Sequence, residues 1–150
     1  MRKEFHIRID REGNWFYNNL PITNQNIYQY FNQHIVKDNE GNYLLKIKDQ
    51  SVLLDVEDTP YLVKHINIIE GLPLKIKVLL NDKTEEVLTW DKIWLKGDTQ
   101  IYCLVKDGKF EARFNRNSQF ELGNLLKFDE KNKRYYLEIE SKKYYLLVRN

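Results

Sequence analysis

The chain has 150 residues, 24 Lys and Arg against 22 Asp and Glu for a formal charge of +2, and 42% hydrophobic and 13% aromatic residues. That is the size of one domain, or of two small ones sharing an interface, with too much apolar material for a disordered chain. The two charge signs are interleaved rather than gathered into a basic stripe, so no nucleic-acid partner is expected.

Met1 to His6 is charged and holds no apolar stretch long enough for a signal peptide or a membrane span, so the expected location is cytoplasmic. Phe5, Ile7 and Ile9 alternate with His6, Arg8 and Asp10, the period of a half-buried strand. Arg11-Glu12-Gly13-Asn14 reads as a turn and Asn14 to Tyr17 as the returning strand of a hairpin. A helix from about Asn24 to His34 follows, with Thr23 as its N-cap and Ile27, Tyr30, Phe31 and Ile35 on its apolar face. Strands at Tyr43 to Lys48 and Val52 to Val56 complete a ββαββ unit. The middle of the chain is β-rich: Leu62 to Ile69, Leu74 to Leu80, Glu86 to Thr89 and Lys92 to Leu95, with Lys75 and Lys77 on a solvated face.

From Ile101 the first pattern returns. Gly13 aligns with Gly108, and the same spacing pairs Trp15 with Phe110, Thr23 with Ser118 and Phe31 with Leu126, Ser118 and Glu121 forming a capping box. After the helix a shorter spacing pairs Tyr43 with Tyr135, Leu45 with Leu137 and Leu54 with Leu146. The expected fold is therefore α+β: two repeated ββαββ units and a β-rich middle segment, in mostly antiparallel sheets. Residues 1–60 are the N-terminal ββαββ unit, 61–99 the β-rich connecting segment and 100–150 the C-terminal ββαββ unit.

No serine-nucleophile elbow, phosphate-binding glycine loop or H-E-x-x-H motif occurs. The lone Cys103 sits in the apolar run from Ile101 to Val105 and reads as a small buried hydrophobe. His6, His34 and His65 are far apart in sequence, so no metal site and no cofactor are expected. Asp55, Glu57 and Asp58 form the densest acidic cluster, at the exit of a strand before Pro60.

Ile9 to Asn18, Pro21-Ile22 and Val56 to Tyr61 resemble the first signature of a bacterial family of uncharacterised proteins, domain-of-unknown-function family 1285. Leu104 to Gly108, Glu111-Ala112, Asn115-Arg116 and Phe120 to Leu122 are similar to its second signature. The resemblance implies a two-part α+β fold with repeated motifs and a role in signal transduction or ligand binding, with no established activity or catalytic residues.

The expected function is a non-enzymatic module that binds a small molecule or a protein partner where its two halves meet. Its expected binding residues are Trp15, Tyr17, Glu57, Asp58 and Arg116, and no catalytic residue is expected. One alternative is a hydrolase or transferase using Asp55, Glu57 or Asp58 with a histidine such as His65. A second is a scaffolding protein acting as a homodimer through a free sheet edge.

Overall fold

The computed structural model describes residues 6–97 and 99–149, so Phe5 lies outside the described residues. Period-two alternation is realised at once, since Ile7 and Ile9 are buried on either side of Arg8 in β1 (Ile7–Ile9). A turn leads to β2 (Trp15–Tyr17), antiparallel to β1, and on to a short β3 (Leu20–Pro21). Then come α1 (Gln25–Asn32), β4 (Ile35–Lys37), β5 (Tyr43–Ile47) and β6 (Gln50–Val56). β6 returns parallel to β1, with Ile7 opposite Leu54 and Ile9 opposite Val56, and the first sheet has the order β3-β2-β1-β6-β5-β4.

The chain continues through β7 (Tyr61–Ile69), β8 (Lys75–Leu80), β9 (Glu85–Val87), a 3₁₀ turn at Trp90–Lys92, β10 (Ile93–Lys96), β11 (Gln100–Val105) and β12 (Phe110–Phe114). After α2 (Arg116–Gly123) follow β13 (Leu126–Asp129), β14 (Arg134–Ile139), β15 (Lys142–Tyr145) and β16 (Leu147–Arg149). The second sheet has the order β16-β10-β11-β12-β7-β8-β9, and β13-β14-β15 form a third. Among the described residues the strand pairs are antiparallel except β1 with β6, β10 with β16 and β12 with β7.

The expected ββαββ units are not what the chain forms. Its first part is βββαβββ, closed by a last strand parallel to the first. In the later part the closing strand is β16, and its parallel partner is β10, with Trp94 opposite Leu147 and Lys96 opposite Arg149. Gly13 and Gly108 both adopt positive φ, +81° and +79°. A glycine suits any tight turn of that kind, so matching the two aligned β2 with β12, whereas in strand order after the parallel-paired strand β2 corresponds to β11.

Both helices start at an asparagine rather than at the expected Thr23 and Ser118. Asn24 caps α1 by accepting from the amides of Asn26 and Ile27, and Asn115 caps α2 by accepting from the amide of Ser118. Ser118 is fully buried and donates from Oγ to the Val63 carbonyl at 2.6 Å, which seats α2 on β7. Glu121 forms no capping box; its Oε1 instead accepts from the Ile66 amide. In α1 the inward face carries Tyr28, Phe31 and Asn32, while Ile27 and Tyr30 are exposed. The phase is set by a buried polar residue, Asn32, which apolar periodicity does not register. The core runs from Ile9 and Trp15 through Val63, Ile76 and Val105 to Phe114 and Leu137. It includes Cys103, whose thiol burial pushes well above its ordinary value.

Candidate functional site

The site grows from the turn between β1 and β2. Asp10 Oδ1 accepts from the amides of Glu12 and Asn14 at 3.0 and 2.8 Å, and Asp10 Oδ2 accepts from Asn14 Nδ2 at 3.2 Å. The sequence Asp38-Asn39-Glu40-Gly41-Asn42 builds the same turn, Asp38 accepting from the amides of Glu40 and Asn42. The first turn differs in what it touches. Its Arg11 amide donates to Glu57, and its Arg11 carbonyl accepts from Nε and Nη2 of Arg113 at 3.1 and 2.8 Å. A Cβ on Gly13 would stand 2.5 Å from Leu62 Cδ1, so the turn lies against β7 where any side chain would have to push Leu62 aside.

Beside this turn, between α1, β2 and the second sheet, opens a cleft of about 490 Å³. Five carboxamides line it: Asn14, Gln25, Gln29, Asn32 and Asn81. Trp15, Phe16 and Tyr28 supply aromatic wall, and Glu12 and Lys64 are its charged residues. The Trp15 indole donates to Asn32 Oδ1 at 3.0 Å, and the Tyr61 hydroxyl donates to the Asn32 carbonyl at 2.9 Å. An indole N–H can only donate, so this bond assigns Oδ1 and Nδ2 of Asn32. Asn81 Oδ1 accepts from the Leu62 amide at 3.1 Å, which ties the tip after β8 to the cleft wall.

Behind the cleft wall, Arg113 is the buried cation of the junction, its side chain 6% exposed. Its Nη2 lies 3.1 Å from Glu12 Oε2 and its Nε 3.8 Å from Asp58 Oδ2. Tyr102 donates to Asp58 Oδ2 at 2.7 Å, and burial together with that carboxylate holds the Tyr102 phenol up at about 12.

No family model matches the chain, and no curated protein does. Its structure is similar to the crystal structure of a DUF1285 family protein from Silicibacter pomeroyi DSS-3, with a TM-score of 0.77 at 20% identity, over 96% of this chain and 80% of that one. The chain has the DUF1285 fold. A second DUF1285 family protein, from Shewanella baltica OS155, matches with a TM-score of 0.65 at 17% identity, over 79% of this chain and 90% of that one.

Within this DUF1285 fold the five expected binding residues do not form one site. Trp15 lines the cleft. Tyr17 is partly exposed at the end of β2 and does not line it. Glu57 and Asp58 lie at the junction but hold the turn and Arg113 rather than the cleft surface. Arg116 is exposed at the start of α2 and, among the described residues, joins neither carboxylate. Arg113 takes the place expected of Arg116: alternation along β12 puts it on the face opposite Ala112 and Phe114, where the Arg11 carbonyl, Glu12 and Asp58 surround it. The signal available for it was a charge set directly between the core-like Ala112 and Phe114. The carboxamides had no such signal, since their convergence comes from α1, β2 and β8 meeting in space.

His6 Nε2 lies 3.0 Å from Asp55 Oδ2, and His65 Nδ1 lies 3.4 Å from Glu121 Oε1. All four side chains are at least one-third exposed, and none lines the cleft. Among the described residues no three His, Cys, Asp or Glu side chains are grouped to hold a metal ion, and no helix is long and apolar enough to cross a membrane.

Proposed function

We propose that this DUF1285-fold chain is a cytoplasmic binding module whose cleft takes a small ligand without transforming it. Residues 1–60 and the remainder act as the two jaws. The observation that carries this reading is the set of five carboxamides around a cavity of about 490 Å³. Such a volume is typical of small-molecule sites, which span roughly 300 to 1,000 Å³. Carboxamides donate and accept hydrogen bonds without titrating near neutral pH, so a wall made of them recognises a ligand more readily than it moves its protons.

The same geometry supports a role in signalling. The Asp10–Asn14 turn forms part of the cleft wall and is also the element that Glu57 and Arg113 hold against the second sheet. Ligand binding would therefore bias how tightly the two sheets are joined, to the extent that it favours one arrangement.

The test is a thermal-shift screen of a metabolite library, with hits measured by calorimetry on wild type, Gln29→Ala and Asn32→Asp. A hit weakened by both substitutions is the expected result. If no compound binds, or if every hit is indifferent to both substitutions, the cleft is not a ligand site.

A further inference from the structure

We infer that the ligand of this cleft is a small organic acid, with an acceptor atom on the Asn32 side-chain amide and its carboxylate balanced by Lys64. The inference rests on the binding reading above and specifies its ligand class.

The first observation is an unspent donor. Asn32 is 1% exposed, and Trp15 occupies its Oδ1. No acceptor among the described residues bonds its Nδ2, yet no buried side-chain nitrogen or oxygen among them is sealed off without a partner. The sliver of Asn32 that remains accessible is therefore the Nδ2 amide, and the space it meets is the cleft that Asn32 lines. An acceptor on a ligand would use this donor.

The second observation is an unpaired cation on the cleft wall. Glu12, the acid of that wall, lies 3.1 Å from Arg113, which also faces Asp58 at 3.8 Å. Lys64 is exposed, and no carboxylate among the described residues lies within ion-pair distance of it. The first turn of α1, which brings Gln25 to the cleft, contains no acidic residue, so the positive end of that helix is also unopposed. Asn24 already occupies the amides of Asn26 and Ile27, so the helix contributes field rather than free donors. Donor and ammonium both favour an anion.

Matched acid and amide pairs test this directly: lactate against lactamide, benzoate against benzamide, and glutamate against glutamine. Each is titrated by calorimetry, while nitrogen-proton correlation spectra follow the Asn32 side-chain amide. At least one acid should bind and shift that signal, with its amide about tenfold weaker, a difference of about 1.4 kcal/mol. Lys64→Gln should weaken the acid by a similar factor and leave unfolding unchanged, because the side chain is at the surface. Asn32→Asp, which keeps an acceptor for Trp15, should abolish acid binding; should that variant fail to fold, Lys64→Gln carries the test.

Equal binding of an acid and its amide, or an affinity untouched by Lys64→Gln, overturns the acid assignment and leaves cleft binding standing. Failure of all the acids overturns it as well. An ordered water then satisfies Nδ2, and the broader library screen decides whether the cleft binds any ligand.

Discussion

Arg113 donates from both Nε and Nη2 to the carbonyl of Arg11, across 102 positions of the chain. This fork joins β12 to the β1–β2 turn from a nearly buried position, with Asp58 and Glu12 as counter-charges. Arg113→Met should therefore cost about 3 to 5 kcal/mol, because it strands a mostly buried carboxylate and a carbonyl. Arg113→Lys keeps the charge but cannot reproduce the two-pronged bond, and should recover only part of the loss. Urea unfolding measures both; a cost below about 1 kcal/mol for Arg113→Met would show that the turn is held by other contacts.

Gly13 and Gly41 occupy equivalent places in two turns of the same D-x-E-G-N sequence, at φ +81° and +86°. Gly41 has open space where a Cβ would be, whereas Gly13 has Leu62 Cδ1 at 2.5 Å. Gly41→Ala should cost only its backbone strain, about 1 kcal/mol, and Gly13→Ala clearly more. Truncating Leu62 to Ala in the Gly13→Ala background should narrow the gap. Equal costs for the two single variants would mean that the turn is not pressed against β7.

The caps make a separate test. Asn24→Ala and Asn115→Ala should each cost about 1 kcal/mol, while Thr23→Ala, at an exposed position before the cap, should stay within about 0.5 kcal/mol of wild type. Ser118→Ala removes a buried bond to a carbonyl that still accepts from the Asn115 amide, and should cost about 0.5 to 1.5 kcal/mol. Thermal unfolding of the four variants ranks them. Thr23 and Ser118 emerging as the costly pair would restore the caps expected from sequence.

Asp129 accepts from the Tyr145 hydroxyl at 2.6 Å and from the amides of Lys131 and Asn132, and its pKa is held down at about 2 from an ordinary 3.8. A carboxylate with a depressed folded-state pKa stabilises the fold above its unfolded value, and that contribution is lost as the pH falls from 3.8 toward 2. A carbon-detected titration of Asp129 should show the low value, and Tyr145→Phe should move it up toward 3.8. An unchanged titration in Tyr145→Phe would remove the hydroxyl as the main cause.

Much of this protein was legible locally. The alternation of Ile7 and Ile9, the helices after Pro21 and after Phe114, the buried Cys103 and the turn at Gly13 depend on neighbours within a few positions, where period and turn chemistry act. The likeness of Ile9 to Asn18 and of Leu104 to Gly108 to the DUF1285 signatures pointed to the fold that two solved structures share. Tertiary structure decided the rest. Which strand closes each sheet, β6 on β1 and β16 on β10, is a choice among ladders whose local patterns look alike, made by long-range packing. The choice of Arg113 over Arg116 at the junction depends on which way one strand residue faces when β12 meets β7. Asn32 acquires its role only when Trp15 from β2 and Tyr61 from β7 arrive at its two sides. A buried polar side chain is defined by partners distant in the chain, and no periodicity along the chain encodes them.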